Sequence, residues 1–190
     1  MQTPTAQIEA LEQELLAKKK ELNELRRSLQ KTNVQNYAFS TPSGEVTLSE
    51  LFSGHPDLLV IHNMGEKCTS CTMWADGLNG LLPHLQNRTA VVMVTPDPLD
   101  QQKRFAESRG WKFRMVRDVN GDFSKAMGMH GADPGDFWPG ATGFRKQEDG
   151  SIVRIASAPF GEGDDFCPTW HLFDLLAEGW NGWDPEYSYP

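Results

Sequence analysis

Two cysteines three positions apart, in the run Cys68-Thr69-Ser70-Cys71, are the residues of this chain best suited to chemistry. A short apolar run, Leu58–His62, leads into them. A stretch with helical spacing of apolar residues (Met73, Trp74, Leu78, Leu81, Leu82, Leu85) follows. That context places the first sulfur at a helix N-terminus, where free N–H groups and the positive end of the dipole lower a thiol pKa. Lys67 adds a neighbouring positive charge. A thiolate is the attacking species in disulfide exchange, and Cys71, one turn on, lies within reach of a mixed disulfide. The spacing therefore predicts that Cys68 attacks and Cys71 resolves, with Thr69 and Ser70 forming the turn between them.

A CxxC is also half of many zinc sites, and Cys167 with His171 would complete a Cys3His set. Zinc pairs sit on knuckle turns rather than at the start of a long helix, so the redox reading is preferred and neither metal nor cofactor is expected. Cys167 itself reads as a small buried residue before the last helix. Among the histidines, His62 is the one expected nearest the site, because it ends the strand that delivers the CxxC. Trp74 reads as core or as a shield over the thiol. Asp76 reads as an exposed helix residue or as a carboxylate that aids proton transfer during resolution.

The elements that must position these residues follow from the patterning. Residues 5–31 contain no Gly or Pro, and Ile8, Leu11, Leu15, Leu22, Leu25 and Leu29 keep a 3-4 spacing that Lys18 interrupts once. This predicts a helix of about 27 residues, some 40 Å long, capped by Thr5. It either packs on its own domain or forms a coiled-coil dimer arm. Residues 32–35 read as a linker, and Tyr37–Leu48 as a hairpin around Pro42-Ser43-Gly44. Leu58–His62 and Ala90–Val94 read as buried strands, parallel because a helix connects them. Pro98–Gly110 reads as a helix capped by Asp97, Asp122–Met127 as a short helix, and Met129–Gly143 as a long loop. Thr142–Lys146 and Ser151–Ala156 form a second hairpin, with Asp149-Gly150 at its turn. Pro168–Glu178 is a final amphipathic helix.

A β-α-β unit followed by β-β-α is the plan of an α/β, thioredoxin-like fold, with a central mixed sheet flanked by helices and an N-terminal helical extension. The expected units are 1–31 (helix), 32–178 (thioredoxin-like domain) and 179–190 (an aromatic-rich tail). Enzymes of this plan carry a cis-proline facing the CxxC, and Pro139 is the one candidate at that place.

Composition narrows the partners. The 190 residues carry a net charge of −8, and the first 31 are nearly balanced, so the body is strongly acidic. Such a body repels phosphate backbones, which argues against nucleic acid. No run approaches the length of a membrane span, and the N-terminus lacks the features of a signal peptide. Three cysteines, two of them in one CxxC, do not make a disulfide framework. The chain reads as cytoplasmic, acting on a protein or small-molecule thiol or disulfide, with a homodimer through the N-terminal helix as one option.

The run Cys68–Gly80 (CTSCTMWADGLNG), followed by Leu82-Pro83-His84-Leu85, resembles the signature of a bacterial thioredoxin-like family, domain-of-unknown-function family 899. The charged leading helix, the Val-rich strand with its exit at Val91–Pro98, and Arg109-Gly110-Trp111 are similar too. The resemblance spans about residues 15–178. It implies a thioredoxin-like fold and a thiol-disulfide role, but no substrate. Thr69 stands where the family usually has Pro, which opens the question of the redox potential. The segment Asn63–Lys67 is short for the family. The loop 131–140 and the tail after Gly179 also depart from it, and are expected to reshape the entrance to the site.

Two functions compete. One is a thiol-disulfide oxidoreductase, with a protein disulfide as the more direct substrate. Its peroxidase variant is the weaker, because peroxiredoxins place Thr or Ser three residues before the cysteine and position 65 is Gly. The other is a non-enzymatic scaffold or dimer module with a structural CxxC.

Overall fold

The structure is a computed structural model and describes residues 3–190; the first two residues of the expected 1–31 unit lie outside it. Helix α1 (Pro4–Ser28) is capped by Thr3, whose hydroxyl accepts the Ala6 N–H at 3.3 Å. Pro4 sits at the first helical position, where a missing N–H leaves no bond unmade. Thr5, the expected cap, lies inside the helix. No residue of α1 is buried. The apolar seam Ile8, Leu11, Leu15, Leu22, Leu25 and Leu29 is 44–61% exposed. The helix therefore does not pack its apolar stripe on its own domain. An exposed ion pair from Lys19 to Asp165, at 2.5 Å, ties it to the body.

Residues 32–35 are not a linker. They contain an edge strand, β1 (Thr32–Val34). The first hairpin is β2 (Ala38–Thr41) and β3 (Gly44–Thr47), leading into the single turn α2 (Leu48–Leu51). Then come β4 (Asp57–His62), α3 (Thr69–Arg88) and β5 (Ala90–Thr95). Next are α4 (Leu99–Arg109), β6 (Arg114–Arg117) and α5 (Asp122–Ala126). The chain closes with β7 (Gly140–Lys146), β8 (Ile152–Pro159) and α6 (Pro168–Phe173).

One mixed sheet runs in the order β1-β8-β7-β4-β5-β6-β2-β3. Strands β4, β5 and β6 are parallel, and β7 returns antiparallel beside β4. The connection β4-α3-β5 followed by β7-β8-α6 is a thioredoxin-like fold, extended by α1 at its N-terminus. Alternation along β4 sorts the core. Leu58, Val60 and His62 face a layer with Phe39, Phe52, Phe123 and Phe144. Leu59 and Ile61 face α3 through Trp74, Ala75, Leu78 and Leu82.

Helix α1 ends at Ser28 rather than Lys31, and two further helix boundaries differ from the expectation. Helix α6 ends at Phe173 rather than Glu178 because Leu175 and Leu176 find no core; Leu175 is 82% exposed. Helix α4 is preceded by Pro98, not capped by Asp97, whose carboxylate points elsewhere. No helix among the described residues is long and apolar enough to cross a membrane.

Candidate functional site

Cys68 is the N-cap residue of α3, and its Sγ accepts the Cys71 backbone N–H at 3.0 Å. A cap side chain that accepts such a bond satisfies one of the orphan donors at a helix start. The Cys68 thiol is pulled down to about 7, first by the Cys71 thiol donating to it and then by the N–H groups of Cys71 and Ser70, against the opposing effect of burial. Cys71 is only 2% exposed. Donation to Cys68 and burial push its pKa far upward, so it holds its proton. One sulfur is partly buried and ready to ionise; the other is enclosed and protonated. All three cysteines are free thiols.

The loop in front of the pair is built by two residues that sit just past parallel strands. Asn63 follows β4, accepts the Gly65 N–H at 2.8 Å and reaches the Cys71 carbonyl at 3.4 Å. Asp97 follows β5 and accepts the Glu66 N–H at 2.7 Å. Burial raises its pKa, with the nearby Glu66 adding to the effect. Gly65 is obligatory here. Its φ is +102°, and a Cβ would lie 2.4 Å from an Asp97 carboxylate oxygen. Asp97 thus fills the space that a side chain at position 65 would need.

The other expected residues are placed differently. Thr69 and Ser70 lie in the first turn of α3. Lys67 is exposed and acts on Asp97; it is not among the groups that lower Cys68. Trp74 is buried core against Phe160, at 5.7 Å between ring centroids. Asp76 is neither free nor in contact with a sulfur. It accepts from the Arg109 guanidinium and from the Trp111 indole N–H at 2.7 Å, clamping α3 to the end of α4. His62 lies on the face of β4 away from α3, stacked on Phe123 and bonded to Thr142 at 3.0 Å. Pro139 immediately precedes β7, and its carbonyl accepts the Phe160 N–H. It is not a cis-proline: no peptide bond among the described residues is cis. Cys167 is buried, and His171 turns to the Asp164 carbonyl. No three His, Cys, Asp or Glu side chains among the described residues converge as metal ligands, so the Cys3His set is not brought together.

Sequence reasoning missed Asp97 and Tyr187. Asp97 stands at the carboxyl end of a parallel strand, where open α/β sheets build their sites, and that position was its one signal. Tyr187 lies in the aromatic-rich tail, whose sequence shows no helix or strand period. The tail is a hook: Trp183 packs edge-on against Trp170 and Phe173 and stacks with Tyr189. Arg109 donates to the Tyr187 carbonyl at 2.5 Å, and the Tyr187 ring meets Phe105 edge-to-face at 6.1 Å.

A thioredoxin-like sheet with a cysteine pair at the start of the helix after its central strand defines a class of protein, the CxxC proteins of thioredoxin fold. Within it, residues 3–188 match the family described as "Bacterial protein of unknown function (DUF899)", and the chain belongs to that family. No curated protein matches the sequence. Among solved structures, the peroxidoxin BcpB of Mycobacterium tuberculosis is similar, with a TM-score of 0.53 and 19% identity over 68% of this chain and 84% of that one. A hypothetical protein of Sinorhizobium meliloti gives 0.52 and 14%, over 85% and 90%. The reduced Prx3 of Vibrio vulnificus, solved with hydrogen peroxide, gives 0.55 and 18%, over 72% and 87%. These likenesses carry the fold.

Proposed function

We propose that the protein is a two-cysteine thiol-disulfide oxidoreductase. The observation that carries this reading is the Cys71 N–H bond to the Cys68 Sγ at 3.0 Å at the start of α3. It stabilises a thiolate on the more accessible, partly buried sulfur while the partner thiol stays protonated. The Cys68 thiolate attacks one sulfur of a substrate disulfide, forms a mixed disulfide and expels the other half as a thiolate. Cys71 then gives up its proton and attacks the Cys68 sulfur, and the second half leaves as a thiolate. The protein ends with a Cys68–Cys71 disulfide and the substrate with two thiols, so two electrons have passed to it. A dithiol reductant restores the pair. Gly65 and Asp97 favour this over a peroxidase, because position 65 offers no hydroxyl beside Cys68.

The test is the alkylation rate of the reduced protein against pH, with Cys167→Ser in place. An apparent pKa near 7 in the Cys167→Ser protein, with the reactivity abolished by Cys68→Ala but retained in Cys71→Ala, supports the assignment. A slow reaction with an ordinary thiol pKa would overturn it and leave the scaffold as the better account.

We further propose that α1 pairs with α1 of a second copy. Most helical stability in proteins comes from packing an apolar face, and the apolar seam of α1 has no cover within the chain. With the seam at the a and d positions, Glu14 and Glu21 fall at g, and Lys19 and Arg26 at the following e positions. In a parallel pair these are opposite charges facing across the interface.

A further inference from the structure

The end of the sheet away from the cysteines carries a cavity that the two-cysteine mechanism does not use. It opens at the start of β4, so the length of that strand, about 20 Å, separates it from the Cys68 loop. Its volume is about 600 Å³, within the range that holds a small organic ligand. The floor is the α3 face of the sheet, where Leu59 of β4 pairs with Gly143 of β7 and Ile155 of β8 lies beside them. Two backbone features keep this floor open. A Cβ on Gly143 would meet only the Ala156 carbonyl oxygen, at 4.0 Å, so the missing side chain leaves free space. A register shift between Gly143 and Phe144 makes Ile155 the extra residue of a bulge in β8, a device that re-aims a side chain. The rim is cationic, in a chain of net charge −8. Arg27 of α1, Lys31, Arg88 at the end of α3 and Arg145 of β7 line it, with Asp57 as its carboxylate. Asp57 is already taken. Arg145 grips both of its oxygens, at 2.7 and 2.9 Å, and Arg88 adds a bond at 2.9 Å. No ion pair among the described residues involves Arg27 or Lys31. With the α1 seam at a and d, Arg27 falls at f, turned away from a partner helix.

We propose that this cavity binds a medium-chain carboxylate, with its tail on Leu59, Gly143 and Ile155 and its head between Arg27 and Lys31. Charge complementarity selects the head. Two cations without an ion pair stand over an apolar floor, and a guanidinium fork matches a carboxylate, as Arg145 does on Asp57. The floor selects the tail, because a bare inorganic anion would leave it uncovered. Such a ligand touches α1, the sheet and the end of α3 at once, and so fastens the leading helix to the body beside its exposed Lys19–Asp165 pair. The site is independent of the cysteine chemistry.

The experiment is a calorimetric titration of the full-length protein with decanoate, with decanol and acetate as comparators. One decanoate is expected per chain, bound more tightly than either comparator and more weakly as salt rises. Arg27→Ser with Lys31→Ser removes two exposed charges and should weaken binding about tenfold. Gly143→Leu fills the floor at a backbone position outside the left-handed region and should abolish binding. Both variants should keep the Cys68 alkylation kinetics of the wild type. If Gly143→Leu does not fold, the double serine variant decides the matter. Absence of decanoate binding, or binding that either folded variant leaves unmoved, overturns the proposal; in the second case the ligand sits elsewhere, as on the open seam of α1. Acetate or decanol binding as tightly as decanoate overturns it too, by removing the need for a tail or a head. If decanoate fails to bind and Gly143→Leu halves the mass seen by light scattering, a second copy fills the cleft and the carboxylate assignment falls.

Discussion

Cys71 contributes twice to the ionisation of Cys68, through its backbone N–H and through its thiol, and the thiol is the larger influence. Cys71→Ala removes only the thiol, so the Cys68 pKa should rise from about 7 toward that of a free thiol, near 8.5. Alkylation kinetics measure it, and an unmoved pKa would mean that the helix start alone sets the value. His62 governs a different pH dependence. Burial holds its folded pKa at about 3, against an ordinary 6.5. Below 6.5 the unfolded chain takes up a proton that the folded chain refuses. The stability contributed by neutral His62 is therefore full above about 6.5 and is lost as pH falls, at about 1.4 kcal/mol per unit. Urea unfolding between pH 7 and 5 should show a flatter slope in His62→Gln; equal slopes would mean that another group dominates. At this scale Cys68 and Cys71 were legible in the sequence because their spacing is itself the chemistry. Asp97 and Tyr187 were not, because their roles depend on loops that only the folded chain brings together.

The α3–α4 clamp turns Asp76 from a supposed proton carrier into a fastening between helices. Asp76→Ala strips Trp111 of its acceptor and leaves Arg109 without its carboxylate. A buried donor without a partner costs about 1–3 kcal/mol. The urea midpoint should fall accordingly at constant m, whereas Asp76→Asn, whose amide oxygen still accepts from the indole, should lose less. Equal midpoints for wild type and Asp76→Ala would refute the clamp. Strands β4 and β5 and helix α3 were readable because parallel strands are continuous apolar runs and the helix shows its period. Strand β1 was hidden because three residues, Thr-Asn-Val, are too few to carry an alternation, and its strand state comes from pairing with β8. The end of α6 was overextended for a related reason: Leu172, Leu175 and Leu176 supply a helical pattern, and no surface receives it.

For the molecule as a whole, the uncovered seam of α1 predicts a dimer. Light scattering should give twice the mass of the chain, and Leu15→Glu with Leu22→Glu should return it to a monomer while the thioredoxin-like body keeps its fold. A wild-type monomer at micromolar concentration would reject the pairing. The heptad spacing was visible from the start, but whether the body would cover it was not, since that depends on where the sheet stops. The hook that anchors the tail has a use of its own. Trp180 and Trp183 both pack against Trp170 of α6, and Tyr189 lies flat on Trp183. Displacing the tail would separate indoles whose rings now meet edge-on, with centroids 5.7 and 6.2 Å apart, and expose them to water. The emission of the unlabelled protein should therefore shift to longer wavelength when the tail leaves the hook, giving an intrinsic optical gauge of whether it is docked.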